Sequence, residues 1–370
     1  MSPLRALPYV PVEELGDRPH VLVDGATRPG SVLTLSHWPQ SPTPMVLARD
    51  LSAEIVFAFL HAEEPTRPRP SRSDRRALAE ALRAGWEASA VTNDHFDEDG
   101  AVSVFALVDP EAALQREPLL VDVASCGDFG VVRSRAAARI AFAIGPVGEE
   151  GAAAELGPSS PPWVDAERPG SWSGARYRAV LERFVDLVDH PDRYRTYWEG
   201  DDAALEAGAA ALRSGAVTIE EVAGLDLAIV RRVTGTSPAS TAPGAVPIHA
   251  VALHSATAAT RILAFDGDLC ECYLRYEGWV RYVSRPVARR PDLAPLAARL
   301  SEMDPSGASW RADGVGSIVT RLVPAGDGRT GLDPAVVTET VIAYLWTAPA
   351  AWDPFRPGGS LVPSNERAGT

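Results

Sequence analysis

The stretch VTNDHFDEDGAVSVFALV, residues 91–108, joins a β-branched run to an apolar run through an acidic loop. The β-branched run and the residues just before it, SAVTND, predict a short strand, and the residues from Gly100 to the position before Pro110 predict a helix. The segment is therefore typical of strand, loop and helix in succession. Such units build a parallel sheet whose strands alternate with helices.

Two neighbouring segments predict the same kind of unit. SVLTLSHW (31–38) indicates a buried strand, and MVLARDLSAEIVFAFLHA (45–62) indicates the helix after it. PLLVDVAS (118–125) is a third apolar run of strand length, followed by the helix-like segment VVRSRAAARIAFAIG. These patterns predict the α/β class, with a mostly parallel sheet and flanking helices.

The chain has 370 residues, which is too long for one small core. We predict an α/β domain over 1–165, a helical connector over 166–223, an α+β domain with an antiparallel sheet over 224–348, and an extended tail over 349–370. A Pro-, Gly- and Ser-rich stretch at 157–174 marks the first boundary, and an Asp-Gly-Asp turn between alternating strands indicates the antiparallel sheet. We expect the acidic loop to lie in the cleft between the two domains.

Composition excludes several classes of function. A net charge of −14 disfavours long nucleic acid as a partner, because binding it requires a local excess of cations. All 35 basic residues are arginine, so a Walker A loop and a lysine Schiff base are absent. No apolar run of membrane-spanning length and no signal-peptide pattern is present, and the three cysteines fit a reducing compartment. We therefore expect a cytoplasmic protein without a membrane segment, and the oligomeric state stays open.

The acidic loop contains an alternating set of metal-ligand residue types. His95, Asp97 and Asp99 are two residues apart, so an extended backbone would point all three side chains to one side. Gly100 then allows the chain to turn into the following helix, whose N-terminus favours anions. An EF-hand calcium loop does not fit, because its twelfth position would be Ala106 rather than a bidentate glutamate.

Other strand ends add candidates to this site. His37 follows the first predicted strand, Asp122 lies within the third, and Asp128 follows it. Oxygen and imidazole ligands that converge from separate strands suit Mn²⁺ or Mg²⁺. The alternative is a solvated polar connection whose carboxylates cap the next helix. The alternation, the histidine and the position between strand and helix favour the metal site.

The string DHFDEDGAVSVFAL resembles the first motif of the DHH phosphoesterase superfamily, which includes RecJ-type exonucleases, inorganic pyrophosphatases and oligonucleotide phosphatases. The resemblance spans about residues 88–125. It implies that His95, Asp97 and Asp99 bind manganese and that Ser103 belongs to the start of the helix. The chain is also similar to an uncharacterised bacterial family through LSHWP, HFDEDG and RYEGWVRYVSR, a likeness that implies no activity.

The resemblance also implies a second-motif aspartate at the end of a later strand, for which the chain offers Asp122 or, as a substitute, Asp128. The Asp-His-His string of the third motif is missing, and the nearest sequence is LVDHPDRY with Asp189 and His190.

The downstream sequence offers candidate substrate contacts. His254 precedes a helix-like segment and is suited to phosphate, or it is an ordinary core or cap histidine. Basic and aromatic residues alternate in LRYEGWVRYVSR (274–285). On a strand, Arg275 and Arg281 would either bind phosphate or form a solvated face opposite an aromatic core face.

These features together predict a metal-dependent phosphoesterase that acts on a small phosphorylated or nucleotide-type substrate through a metal-activated water. The predicted residues are the metal ligands His95, Asp97, Asp99 and Asp122, the catalytic residues His37 and Asp128, and the substrate contacts Ser103, His254, Arg275 and Arg281. The alternative is a catalytically inactive binding or regulatory protein that retains the fold, because the Asp-His-His motif is missing.

Overall fold

The computed structural model describes residues 6–63, 71–156, 169–233, 245–356 and 358–361. The chain divides into two compact units, Met1–Asp202 and Ala203–Thr370. The predicted boundary at residue 165, most of the predicted loop at 157–174, and residues 357 and 362–370 of the predicted tail lie outside the described residues. Within the described part, no helix combines the length and the apolarity that a membrane span requires.

The first unit combines a small sheet with a larger set of helices. Its elements are, in chain order, β1 (His20–Val23), β2 (Ser31–Leu35), α1 (Ser52–Leu60), α2 (Arg72–Glu87), β3 (Ala90–Thr92), α3 (Glu98–Val108), α4 (Pro110–Leu114), α5 (Glu117–Phe129), α6 (Arg135–Leu156) and α7 (Pro169–Asp189). The strands lie in the order β2–β1–β3, and both pairs are parallel. α3 packs against α1 and α5, and α6 packs against α5 and α7. The predicted α/β class and its parallel sheet are therefore confirmed for this unit.

The order of the strands creates the place where side chains can converge. The chain passes from β1 to β2 on one side of the central strand and returns to β3 on its other side. In an open parallel sheet, such a reversal leaves a crevice at the carboxyl ends of the adjacent strands. Asp24 directly follows β1, His37 follows β2 and the acidic loop follows β3.

The third predicted strand, 118–125, is wrong, because these residues belong to α5. A short apolar run does not distinguish a buried strand from a buried helix. The boundaries do: Pro118 occupies the first turn, and Gly130 ends the helix in the left-handed conformation with φ 62°. The run is apolar because α5 packs between α3 and α6.

The predicted helix at 45–62 begins later than expected, at Ser52. Its N-terminus is fixed from outside the helix, because the Asp99 carboxylate accepts the N–H groups of Ser52 and Ala53. β1 is only four residues long, and it was not predicted from the sequence.

The second unit contains a mixed sheet. Helix α8 (Arg195–Ser214) leads into it, and the further elements are β4 (Val217–Val222), β5 (Leu227–Arg232), α9 (Ala250–Ala256), β6 (Arg261–Asp266), β7 (Leu269–Leu274), α10 (Ala294–Met303), β8 (Trp310–Ala312), β9 (Thr320–Pro324) and α11 (Pro334–Thr347). The strand order is β4–β5–β6–β7–β9–β8, and β5–β6 is the parallel pair among antiparallel ones. Alternate residues of β5 enter different cores: Leu227 and Ile229 pack with α10 and α11, whereas Ala228 and Val230 pack with α9.

The predicted Asp-Gly-Asp turn is confirmed, because it joins β6 to β7 with Gly267 at φ 64°. The predicted strand at 274–285 is wrong. After Leu274 the chain enters a 3-10 turn at Tyr276–Gly278, which the Arg275–Glu277 ion pair of 2.6 Å accompanies. His254 does not precede a helix as predicted, because it lies within α9 and the chain after Ala256 leads into β6.

Candidate metal centre

A group of ionisable side chains converges at the carboxyl edge of the parallel sheet. We call this group the acidic cluster, and its members are Asp24, His37, His95, Asp97, Asp99 and Asp128. All of them belong to the first unit. The loop after β3 supplies His95 and Asp97, the first turn of α3 supplies Asp99, and the last turn of α5 supplies Asp128.

Asp24 lies at the centre of the cluster. Its Oδ1 is 3.5 Å from His37 Nε2, and its Oδ2 is 3.3 Å from His95 Nε2. The cluster therefore contains two groups with metal-ligand spacing that share Asp24, one with His95 and Asp97 and one with His37 and Asp99. Within each group the ligand atoms lie within 4.8 Å of one another. The two oxygens of one carboxylate thus face two possible cation positions.

The backbone at Asp24 is in the left-handed region, with φ 44°. Few residues other than glycine adopt this conformation, although aspartate tolerates it better than most. Hydrogen bonds hold the turn, because Asp24 N donates to Leu35 O (3.1 Å) and Gly25 N donates to Ser36 Oγ (3.0 Å). The strained turn keeps the Asp24 side chain at the end of β1, and such outliers concentrate at functional sites.

Both histidines are oriented by partners outside the cluster. The Nδ1–H of His37 donates to the backbone oxygen of Asp50 (2.5 Å), and that of His95 donates to Asp94 Oδ1 (3.1 Å). Each Nε2 atom consequently faces the carboxylates of the cluster. A histidine that binds a metal commonly donates its other ring N–H to a carboxylate or a backbone carbonyl in this way.

Two of the carboxylates also cap helices, as the alternative interpretation of the loop predicts. Asp97 Oδ1 accepts the N–H of Gly100 (2.8 Å) at the start of α3, and its Oδ2 accepts from His95 Nε2 (2.9 Å). Asp99 accepts the N–H groups of Ser52 (2.8 Å) and Ala53 (2.7 Å) at the start of α1. A carboxylate has about four lone-pair sites, so these bonds leave room for a cation.

Burial shifts the pKa values of the cluster strongly. It raises the pKa of Asp99 to about 7, helped by repulsion from Asp24, and it raises the pKa of Asp128 well above its usual range. Burial also opposes the charged forms of Asp24 and the histidines. The attraction between them outweighs it, so that the pKa of Asp24 falls and the pKa values of His37 and His95 rise. Without a metal, protons therefore neutralise the cluster.

The residues present fit a divalent cation. Asp24 Oδ2 and Asp128 Oδ2 are buried and make no well-formed hydrogen bond with the described residues, although His95 Nε2 lies 3.3 Å from the first and His37 Nε2 lies 3.4 Å from the second. A buried carboxylate oxygen without a donor is costly, and a cation is one natural partner for it. Carboxylates with imidazoles suit Mn²⁺, and the carboxylates alone also suit Mg²⁺.

Asp122, predicted as a ligand, is not part of the cluster. Its carboxylate accepts the N–H groups of Arg133 (2.7 Å) and Ser134 (2.8 Å), so it fixes the start of α6. The prediction failed because α5 was interpreted as a strand, which placed Asp122 at the wrong edge. Ser103 is fully buried on α3, and its Oγ has no hydrogen-bond partner in the described part of the chain.

The remaining predicted substrate contacts lie in the second unit. His254 Nε2 is 2.8 Å from the hydroxyl of Tyr273. Arg275 is buried, where it pairs with Glu277 and donates to backbone oxygens. Arg281 is half-buried, and burial lowers its pKa.

Sequence reasoning missed Asp24, the residue that links the two groups. The signal was present, because HVLV is an apolar run of strand length that ends in Asp24 and Gly25. Asp50 and Ser52 were also missed. The backbone oxygen of Asp50 accepts a hydrogen bond from His37, and the hydroxyl of Ser52 donates one to Asp24. Contacts of this kind leave no local pattern.

The fold and the cluster thus define a protein with a candidate metal centre at the carboxyl edge of a parallel sheet. The chain belongs to a family of unknown function, DUF6687, whose model matches residues 5–356. No curated protein and no solved structure gave a significant match.

Proposed function

We propose that the protein is a cytoplasmic, divalent-metal-dependent phosphoesterase that acts on small phosphorylated or nucleotide-type substrates. The observation that carries this proposal is the acidic cluster, in which two oriented imidazoles and several carboxylates surround the shared Asp24. The resemblance of the loop after β3 to the first DHH motif supports the reaction class.

A bound Mn²⁺ or Mg²⁺ would supply a water of lowered pKa and stabilise negative charge on the phosphoryl group. The chain's own residues would hold that cation through Asp24 together with His95 and Asp97, and in the second group through His37 and Asp99. Ligation requires neutral imidazoles, so binding releases the protons that the cluster otherwise retains.

Arg28 is the residue that would meet an anionic substrate. It lies on the loop after β1, its side chain is 41% exposed, and its Nη1 is 3.2 Å from Asp94 Oδ2. Asp94 in turn holds His95. An arginine at this position would bind a phosphoryl oxygen beside the cluster and help to stabilise its charge.

The test combines metal analysis with turnover. Purified wild type is analysed for bound manganese, magnesium, iron and zinc beside the variants Asp97→Ala, Asp99→Ala and His95→Gln. The histidine variant is included because His95, unlike the two aspartates, caps no helix. Phosphate release is then measured with added Mn²⁺ on nucleoside monophosphates, short oligonucleotides, sugar phosphates and polyphosphate.

Asp122→Ala is the matched control, because it removes an aspartate that caps a helix outside the cluster. We expect bound metal and turnover in wild type and in this control, and loss of both in the cluster variants. Wild type without metal above the variants contradicts the proposal. Metal binding without turnover of any substrate would favour the binding or regulatory protein instead.

A further inference from the structure

Tyr177 on α7 reaches the acidic cluster from outside the sheet. Its side chain is fully buried, its ring lies 4.8 Å from that of Tyr9, and the edge of Phe96 packs on it at 4.9 Å. Its hydroxyl nevertheless has no hydrogen-bond partner among the described residues. Buried hydroxyls are almost always paired, so this one requires an explanation.

The hydroxyl faces the loop that carries the predicted ligands. A methyl group placed on Gly100 would lie 2.5 Å from the Tyr177 hydroxyl, 2.5 Å from Asn93 Nδ2 and 3.0 Å from Asp97 Oδ1. These three polar atoms therefore point toward one small space beside Gly100. Burial raises the pKa of Tyr177 well above its usual value, and the nearby negative charges, of which Asp97 has the largest effect, raise it further, so the hydroxyl keeps its proton.

The hydrogen bonds of Asp97 must change when a cation binds. In the structure Asp97 Oδ2 accepts from His95 Nε2 at 2.9 Å. A histidine nitrogen that ligates a cation carries no proton, so it has no N–H to donate to Asp97. Asp97 Oδ2 would then face the cation instead, and Oδ1, which accepts the N–H of Gly100, has room for a second donor.

We propose that Tyr177 is a positioning residue whose hydroxyl donates to Asp97 when the acidic cluster holds its cation. The inference rests on the proposed metal centre and adds a residue that no sequence motif indicated. Because the hydroxyl makes no hydrogen bond with the described residues, removing it should cost the metal-free protein little stability. Its contribution belongs to the metal-bound state.

The test is Tyr177→Phe, which removes one oxygen and keeps the ring packing. Because an unpaired buried hydroxyl is lost, we expect the metal-free variant to unfold at the same temperature as wild type or a few degrees higher. Because a hydrogen bond of the loaded state is lost, we expect the Kd for Mn²⁺, measured by calorimetry, to rise about three- to tenfold.

Tyr194→Phe is the control, because the hydroxyl of Tyr194 donates to Asp186 Oδ2 at 3.1 Å. It should lower the unfolding temperature slightly and leave the Kd unchanged. An unchanged Kd in Tyr177→Phe, or a destabilised metal-free Tyr177→Phe, overturns the inference. If wild type itself binds no Mn²⁺, the proposed metal centre fails as well, so the two failures are distinguishable.

Discussion

Charged side chains are buried in both units, but they differ in where their partners come from. In the second unit the guanidinium groups of Arg261, Arg275 and Arg290 are buried and donate to backbone oxygens of their own unit. Arg290, at 1% exposure, donates to the carbonyls of Arg275 and Ile318, each at 2.7 Å. These guanidinium groups thus each have several partners in the fold, although the Nε atoms of Arg261 and Arg290 make no hydrogen bond with the described residues.

In the first unit the acidic cluster brings carboxylates toward one another, and two of their oxygens accept no hydrogen bond from the described chain. The fold neutralises them with protons, as the raised pKa values of Asp99 and Asp128 show. The comparison teaches that burial alone does not identify a functional site. Converging acceptors without donors indicate a ligand, whereas a charge with several backbone partners indicates a structural role.

The largest expected effect is on the second unit. Arg290→Met removes a buried cation and leaves several backbone oxygens without donors, so we expect the free energy of unfolding to fall by about 3–5 kcal/mol. Urea unfolding measures it. Arg289→Met is the control, because that side chain is 62% exposed and should change stability little. Loss of Mn²⁺ binding in a folded Arg290→Met variant would contradict the purely structural role that we assign to this buried charge.

A smaller effect is expected for the carboxylate that orients His95. Asp94→Ala removes the acceptor of the His95 Nδ1–H bond, so we expect the Kd for Mn²⁺ to rise about 10- to 100-fold. Calorimetry measures the change. Asp109→Ala, which removes the cap of α4, should leave the Kd as it is. Equal effects of the two variants would mean that stability, not orientation, determines metal affinity.

Asp128→Asn and Asp122→Asn should change the stability of the metal-free protein in opposite directions. Asp128 resists ionisation, so a neutral amide should stabilise the metal-free protein by about 1 kcal/mol near pH 8. Asp122 accepts the N–H groups that start α6, so its amide should destabilise it by about 1 kcal/mol. Thermal unfolding without metal measures both. Destabilisation by Asp128→Asn would place it among the structural residues.

The smallest expected effect is that of pH. Asp99, Asp128, His37 and His95 all have raised pKa values, so the folded state binds more protons than the unfolded chain between pH 6 and pH 8. Stability of the metal-free protein must then fall as pH rises through this window, because the proton-bound folded state is progressively lost. The lowered pKa of Asp24 acts only at lower pH.

We expect the unfolding temperature of the metal-free protein to fall by a few degrees from pH 6 to pH 8. The Mn²⁺ affinity should rise over the same range, because the cation displaces those protons. Both are measured on one set of buffers. A metal-free unfolding temperature that rises with pH would contradict the raised pKa values of the cluster.

The acidic loop could be predicted because its information is local. His95, Asp97 and Asp99 are close in sequence and follow a strand, so residue type and spacing were sufficient to bring them together. Asp99 reaches the cluster from the first turn of α3, however, and not from the extended segment that the alternation suggested. The short-range pattern thus identified residues that lie together, but it placed Asp99 on an extended segment instead of a helix.

What could not be predicted depends on pairing between distant segments. β1 is short, and its role as the central strand follows from its partners β2 and β3 rather than from its own four residues. Asp24 was missed with it. The misassignment of α5 removed Asp122 from the cluster, while Asp128 still reached it from the end of that helix. Asp24 and Asp128 depend on tertiary contacts, which a single sequence does not display.

Asp99 has a further consequence, because it joins the cluster to the first turn of α1. The amide hydrogens of Ser52 and Ala53 are bonded to its carboxylate, so they exchange with solvent only when that contact opens. A cation that holds Asp99 in place would suppress this opening. Hydrogen–deuterium exchange at two backbone amides of α1 should therefore slow when Mn²⁺ is added, and it would report occupancy of the site even without a known substrate.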